Sequence, residues 1–206
     1  MAHLADRDAL RWAALGGRVA RGVERRLDAR VLGNRAEVLG TRWRLAPVGP
    51  ALRRARRAAR MLAASSPLIL RTDVTAFYPS IQPSVAHDAV LALAGREDAR
   101  LASGMLEGWG SEGYAGLPIG PEASAVLANA VLRPSDENLA GLSFLRWVDD
   151  YLIGVRSERE ATEALDRLDT VLATLGLCRS AAKTRLVEGG RGFGWLGTSG
   201  AEDTSD

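Results

Sequence analysis

The sequence predicts an α+β domain in which antiparallel strands carry helices on one face. Three observations predict it. Apolar runs of strand length occur at 67–74 and 142–155. Segments with helical periodicity lie between and around them, at 83–95, about 97–108, onward from Pro121, and at 157–175. The second apolar run is interrupted at its centre by a turn, and strands joined so closely must run antiparallel.

Residues 5–31 read as a helix, with Trp12, Leu15, Val19, Val23 and Leu27 at helical spacing and Leu10 off that face. Residues 32–49 contain Gly33, Gly40, Pro47 and Gly49 and read as irregular chain or short strands. Pro50 can open a helix through "ALRRARRAARMLAA", 51–64. Its arginines at 53, 54, 56, 57 and 60 cover most of the circumference, which suits phosphates better than burial, although a plain surface helix has the same pattern. "PLILRTDV", 67–74, is a buried strand ending at an acid. Pro79 stops that strand from continuing through "TAFYPSI".

Two helices and the Gly-rich "GWGSEGYAGLPIGP" lead to a helix in "PEASAVLANAVL", where residues 123, 126, 127, 130 and 131 form an apolar face. "LSFLRWVDDYLIGV" is a hairpin. The 157–175 helix puts Leu165, Leu168, Val171, Leu172 and Leu175 on one side. "CRSAAKTRLVE" and "FGWLG" read as a last small set of strands. The chain divides into a basic helical region at 1–66, a core of strands and helices at 67–199, and an acidic tail at 200–206.

The 206 residues are 47% hydrophobic and 25% charged, enough apolar material for one sizeable core. No apolar stretch approaches the roughly 18 residues of a membrane span, and residues 1–30 hold no leader-like run. Cys178 is the single cysteine, which excludes an intrachain disulfide and a cysteine metal cluster. A cytoplasmic setting without a membrane partner is expected. The net charge of +2 hides an asymmetry: residues 1–60 hold 15 Arg against 5 acids, and the remainder holds 12 cations against 20 acids. The basic part suits a polyanion, and solvated helix faces account for it equally well. Lys183 is the only lysine.

The chemistry is concentrated in acids set among apolar residues. Asp73 ends one strand, and Asp149 and Asp150 follow 76 residues later in the hairpin. If strand and hairpin are neighbours, three carboxylates converge, which divalent cations make tolerable. Ligands that are all oxygen favour Mg²⁺ or Mn²⁺ over Zn²⁺. Two such ions roughly 4 Å apart would clamp the attacking and leaving oxygens of a phosphoryl transfer. The simpler alternative is a turn that carries Asp149 and Asp150 out to water.

Taken in order, "TDVTAFYPSI", "GLPIGPEASAVLANAVL", "RWVDDYLIG", "LGLCRSAAKT" and "FGWLG" resemble the palm motifs of reverse transcriptases, over about residues 67–197. The fold so implied is a palm with short, helix-rich fingers and no evident thumb. "FYPSI" and "GLPIGPEAS" look most like the abortive-infection and other anti-phage enzymes of bacteria.

The resemblance implies that Asp73, Asp149 and Asp150, with the Val74 carbonyl, bind two Mg²⁺ ions, or Mn²⁺. It implies that Tyr78 walls off a ribose 2′-hydroxyl, with Phe77 beside it at the nucleotide or else in the core. Gly120 and Pro121 would meet the nucleotide; Gly116, Pro118 and Ser124 would meet template and primer. Lys183 would protonate the leaving pyrophosphate, or is an ordinary surface lysine. Trp195 and Gly197 would form the primer grip, Trp195 having core packing as its alternative. Arg53, Arg56, Arg57 and Arg60 are candidates for the triphosphate.

The implied activity is RNA-directed DNA synthesis from dNTPs on an RNA template, in anti-phage defence. A partner subunit, a structured RNA or a homo-oligomer would replace the thumb. Alternatives are untemplated or protein-primed nucleotidyl transfer, and a palm serving as an RNA- or protein-binding subunit. Two positions depart from the pattern: Ile119 stands where a glutamine is common, and Trp147 where a tyrosine or phenylalanine is usual.

Overall fold

A computed structural model describes residues 6–40, 42–190 and 193–195. Helix α1 spans Asp6–Glu24, ending short of the expected Val31. Trp12, Leu15, Val19 and Val23 are buried as the spacing requires, while Leu27 packs from the turn that follows. Strands β1, Ala36–Leu39, and β2, Arg42–Leu45, form a two-stranded antiparallel ribbon.

Helix α2 runs Val48–Ser65 and so begins before Pro50, whose missing N–H is harmless in a first turn. The expectation of a helix basic nearly all round is corrected. Ala51, Ala55, Ala59 and Ala63 make a buried stripe at i, i+4 spacing, short enough for the helix to lie close against the sheet.

The sheet holds four antiparallel strands in the order β4-β5-β3-β6. They are β3, Leu68–Thr72; β4, Ser143–Trp147; β5, Asp150–Val155; and β6, Arg185–Glu188. β5 forms a hairpin with β4 and pairs on its other edge with β3, so the strand ending at Asp73 does lie beside the hairpin. Period-2 alternation divides the side chains between two faces. Leu70, Phe144, Tyr151, Ile153 and Val155 join the main core, together with α6, Glu122–Asn138, and α7, Glu158–Thr174. Ile69, Leu145 and Leu152 face the other way and meet the alanines of α2 and Trp195. Helices therefore cover both faces of the sheet, a second correction, because the alanine stripe gives α2 an apolar side that its arginine content conceals.

The short helix α3, Phe77–Ser80, follows β3. Then α4, Pro83–Ala94, and α5, Arg96–Ser111, pack on each other and on α1. α6 is buried on almost every side and runs past Leu132, through Pro134, to Asn138. Residues 193–195 are not a strand as expected, and the "FGWLG" residue Gly197 lies outside the described residues. No helix among the described residues is long and apolar enough to cross a membrane.

Candidate active site

β3 and β5 pair from Leu68↔Val155 to Thr72↔Tyr151. One step further, the same register sets Asp73 opposite Asp150, on the face that also carries Ile69, Arg71 and Leu152. Asp149 lies in the two-residue turn between Trp147 and Asp150. Both hairpin aspartates are half-buried, so the turn does not simply carry them out to water. Among the described residues, no three carboxylate, imidazole or thiol groups stand close enough to make a ready-formed metal cage.

The three acids nonetheless share one field. Burial and then the charges of Asp149 and Asp73 push the Asp150 carboxyl up to about 6. Burial also raises Asp149, with Asp73 adding to the rise and Lys183 and Arg146 opposing it. Asp73 is 4% exposed; its Oδ2 accepts a hydrogen bond from Lys183 Nζ at 2.5 Å, and its Oδ1 is buried with no partner. An orphaned carboxylate oxygen beside two half-buried acids is a donor set that fits a hard divalent cation. The Lys183 ammonium occupies one side of Asp73 as a counter-charge, and that contact holds its pKa above the ordinary lysine value.

Val74 forms an isolated antiparallel bridge with Arg179, flanked by Thr75 N to Cys178 O and Ser180 N to Asp73 O, both 2.8 Å. In a pair of this kind the central residue's own N–H and C=O point away from its partner strand, which turns the Val74 carbonyl toward β5.

Tyr78 is half-buried on α3, and its hydroxyl accepts a hydrogen bond from Asn34 Nδ2 at 3.3 Å. Burial, reinforced by nearby Asp149, pushes the phenol up to about 12. It therefore stays protonated, close enough to the hairpin to feel its charge. Gly116 holds the next loop against α3: its φ is +67°, and a Cβ there would lie 2.1 Å from the Tyr78 carbonyl oxygen. Leu117 N donates to that same oxygen at 2.9 Å. Pro118 is buried, Gly120 has open space around it, and Pro121 caps α6. Gly116 and Pro118 thus build the loop, and Gly120 is on its free side.

Phe77 is 3% exposed and lies in the main core, the second of its two expected places, edge-on to Tyr78. Two expectations are corrected. Ser124 is wholly buried and accepts the indole N–H of Trp12 at 2.9 Å, so it is out of reach of template or primer. Trp195 is 3% exposed beneath α2, which makes it a core residue and not a primer contact. The buried alanines of α2 put Arg53, Arg57 and Arg60 on its opposite, exposed side, with Arg56 half-buried. Lys183, Arg146 and Arg71 act on the hairpin aspartates.

The Ser124 correction has a direct test. Ser124→Ala is expected to cost about 1–3 kcal/mol by orphaning the Trp12 N–H. Thermal melting should fall while affinity for primer–template stays at the wild-type value; lost affinity with unchanged melting would restore the expected contact.

The residues that sequence reasoning missed sit under the hairpin. Arg146 is 0% exposed and forms a forked pair with Asp136 of α6, Nε to Oδ1 at 2.7 Å and Nη2 to Oδ2 at 2.6 Å. Burial opposes its charge, and contact with Asp136 overcomes that, leaving the guanidinium pKa above its usual value. The signal was present: Arg146 shares the inward period-2 face with Phe144, and an inward arginine needs a buried acid.

No curated protein matches the chain. Residues 46–199, about three-quarters of its length, match the family described as reverse transcriptase (RNA-dependent DNA polymerase). A carboxylate pair across adjacent strands, a third acid in the hairpin turn and a match of this extent agree, and the chain belongs to the reverse transcriptase family.

Proposed function

We infer that the protein is an RNA-directed DNA polymerase that adds dNTPs to a primer 3′-hydroxyl. The observation that carries this reading is the placing of Asp73 across from Asp150 on adjacent strands, with Asp149 in the turn beside them. Those three side chains, with the Val74 carbonyl, would hold Mg²⁺ or Mn²⁺; when bound, such ions neutralise the triphosphate and ease ionisation of the attacking hydroxyl. In the reaction the 3′-hydroxyl gives up its proton to water, its oxygen bonds to the α-phosphorus, the bond from that phosphorus to the bridging oxygen breaks, and pyrophosphate leaves. Lys183 gives the leaving pyrophosphate a proton, a role supported by its contact with Asp73. Arg71, exposed on the same face as Asp73, joins the α2 arginines as a partner for the triphosphate.

Tyr78 selects the sugar by occupying the space a 2′-hydroxyl needs. Tyr78→Ala is expected to lower the preference for dNTP over NTP by about 10- to 100-fold, read as the ratio of kcat/KM values. An unchanged ratio would remove Tyr78 from that role.

The anti-phage role rests on the likeness of "FYPSI" and "GLPIGPEAS" to defence enzymes. A partner subunit, a second copy or a structured RNA adds to the grip on the duplex, the last suited to the outward Arg53, Arg57 and Arg60. A second reading, untemplated or protein-primed nucleotidyl transfer, is favoured by Ile119, an apolar side chain 63% exposed in the loop before α6. Incorporation of labelled dNTPs and NTPs by the purified chain with Mg²⁺ or Mn²⁺ separates the two. Products that need an RNA template and DNA primer support the polymerase, and products formed without a template support the second reading. A chain that incorporates no nucleotide with or without template, even alongside factors from its host, is a binding subunit.

A further inference from the structure

We propose that Asn129 and Arg146 are positioning residues that tie the hairpin carrying Asp149 to the Tyr78 wall through one hydrogen-bond network. This rests on the reading of Asp149 as a metal ligand and Tyr78 as the sugar wall.

The turn needs support. Val148 has φ +59°, a left-handed conformation that a β-branched residue rarely adopts. Its carbonyl accepts a hydrogen bond from Arg146 Nη1 at 2.7 Å, so the guanidinium holds the turn from below. The same Nη1 donates to Asn129 Oδ1 at 2.9 Å, while the rest of the fork is fixed on Asp136. Asn129, 1% exposed in the middle of α6, turns its amide nitrogen the other way, donating to Gly33 O at 3.1 Å and Asn34 O at 3.0 Å. Those bonds use both amide protons and the carbonyl, which fixes the orientation of the amide. The 33–34 loop lies directly on the turn, since a Cβ at Gly33 would meet the Val148 nitrogen at 2.7 Å. Asn34 then reaches up to the Tyr78 hydroxyl. Asn129 is thus a junction: its carbonyl side serves the hairpin, and its amide side serves the loop that holds Tyr78.

The two sides can be cut separately. Asn129→Asp keeps an acceptor for Arg146 and loses both donors to the 33–34 loop. It is expected to lower the dNTP/NTP preference about tenfold while leaving Mn²⁺ binding within about twofold of wild type. Arg146→Lys keeps the charge, but a single ammonium cannot span Asp136, Asn129 and the Val148 carbonyl. It is expected to weaken Mn²⁺ binding about tenfold or more, as read by electron paramagnetic resonance of free Mn²⁺.

Circular dichroism melting establishes that each variant is folded, and Arg146→Met combined with Asp136→Leu, which removes the donor to the Val148 carbonyl without stranding a charge, replaces Arg146→Lys should that chain not fold. A merely structural role would lower the active fraction, reducing kcat for both sugars equally and leaving the ratio and the Mn²⁺ midpoint alone; that outcome overturns the proposal. If the wild type incorporates no nucleotide at all, the polymerase reading fails, and the Mn²⁺ midpoint of Arg146→Lys still decides whether the network positions Asp149.

Discussion

Asp149→Asn is expected to cut nucleotide incorporation about 10³-fold or more while the fold stays intact. The amide matches the carboxylate in shape but removes the charge that balances a divalent ion, and several kcal/mol of transition-state stabilisation go with it. Stability should not fall, because Asp149 contributes to the repulsion that raises Asp150. The same argument predicts a pH dependence. The Asp150 carboxyl lies at about 6 in the fold against an ordinary value of 3.8, so the folded state binds that proton more tightly than the unfolded chain. The contribution of Asp150 is therefore fully present below pH ~4 and lost as pH rises through about 6. Melting temperature measured without metal should decline over that range in the wild type and decline less in Asp150→Asn. Mg²⁺ should recover the loss only in the chain that keeps its acids, because an ion that binds the folded state stabilises it. Full incorporation by Asp149→Asn would sink the mechanism, and a pH-independent melting difference would sink its electrostatic account.

The sequence made the sheet legible because its strands are short, apolar and bounded by acids or turns. β3 and the β4–β5 hairpin fall where "PLILRTDV" and "LSFLRWVDDYLIGV" lie, and their pairing brings Asp73 to Asp150. Side-chain destinations were less legible where one residue type serves two purposes. Trp195 suits a primer contact or a core, and only the α2 alanines opposite it decide. Ser124 looks like a loop-side polar residue until Trp12, 112 positions away, claims it. The α2 arginines hid the helix's apolar face because alanine is a weak hydrophobic signal, whereas close packing on a sheet needs a small residue. Arg146, Asp136 and Asn129 are each ordinary in sequence; their partnership is a tertiary fact spread over α6, β4 and the 33–34 loop.

That partnership carries the largest expected stability effect. Asp136→Leu is expected to destabilise the fold by about 3–5 kcal/mol, because it strands a fully buried guanidinium. For a chain of this size the loss corresponds to roughly 10 °C in melting temperature. Replacing both partners, Asp136→Leu with Arg146→Met, should restore much of it, since apolar groups of similar volume often replace a buried ion pair at little net cost. The double variant separates stability from function. It regains a packed core but lacks the donor that holds the Val148 carbonyl, and so should melt near the wild type and still bind Mn²⁺ poorly. A double variant that recovers both would mean that the pair serves only to fill the core. One that recovers neither would mean that the hairpin and α6 depend on the fork itself, whose rigid planar geometry no apolar pair reproduces.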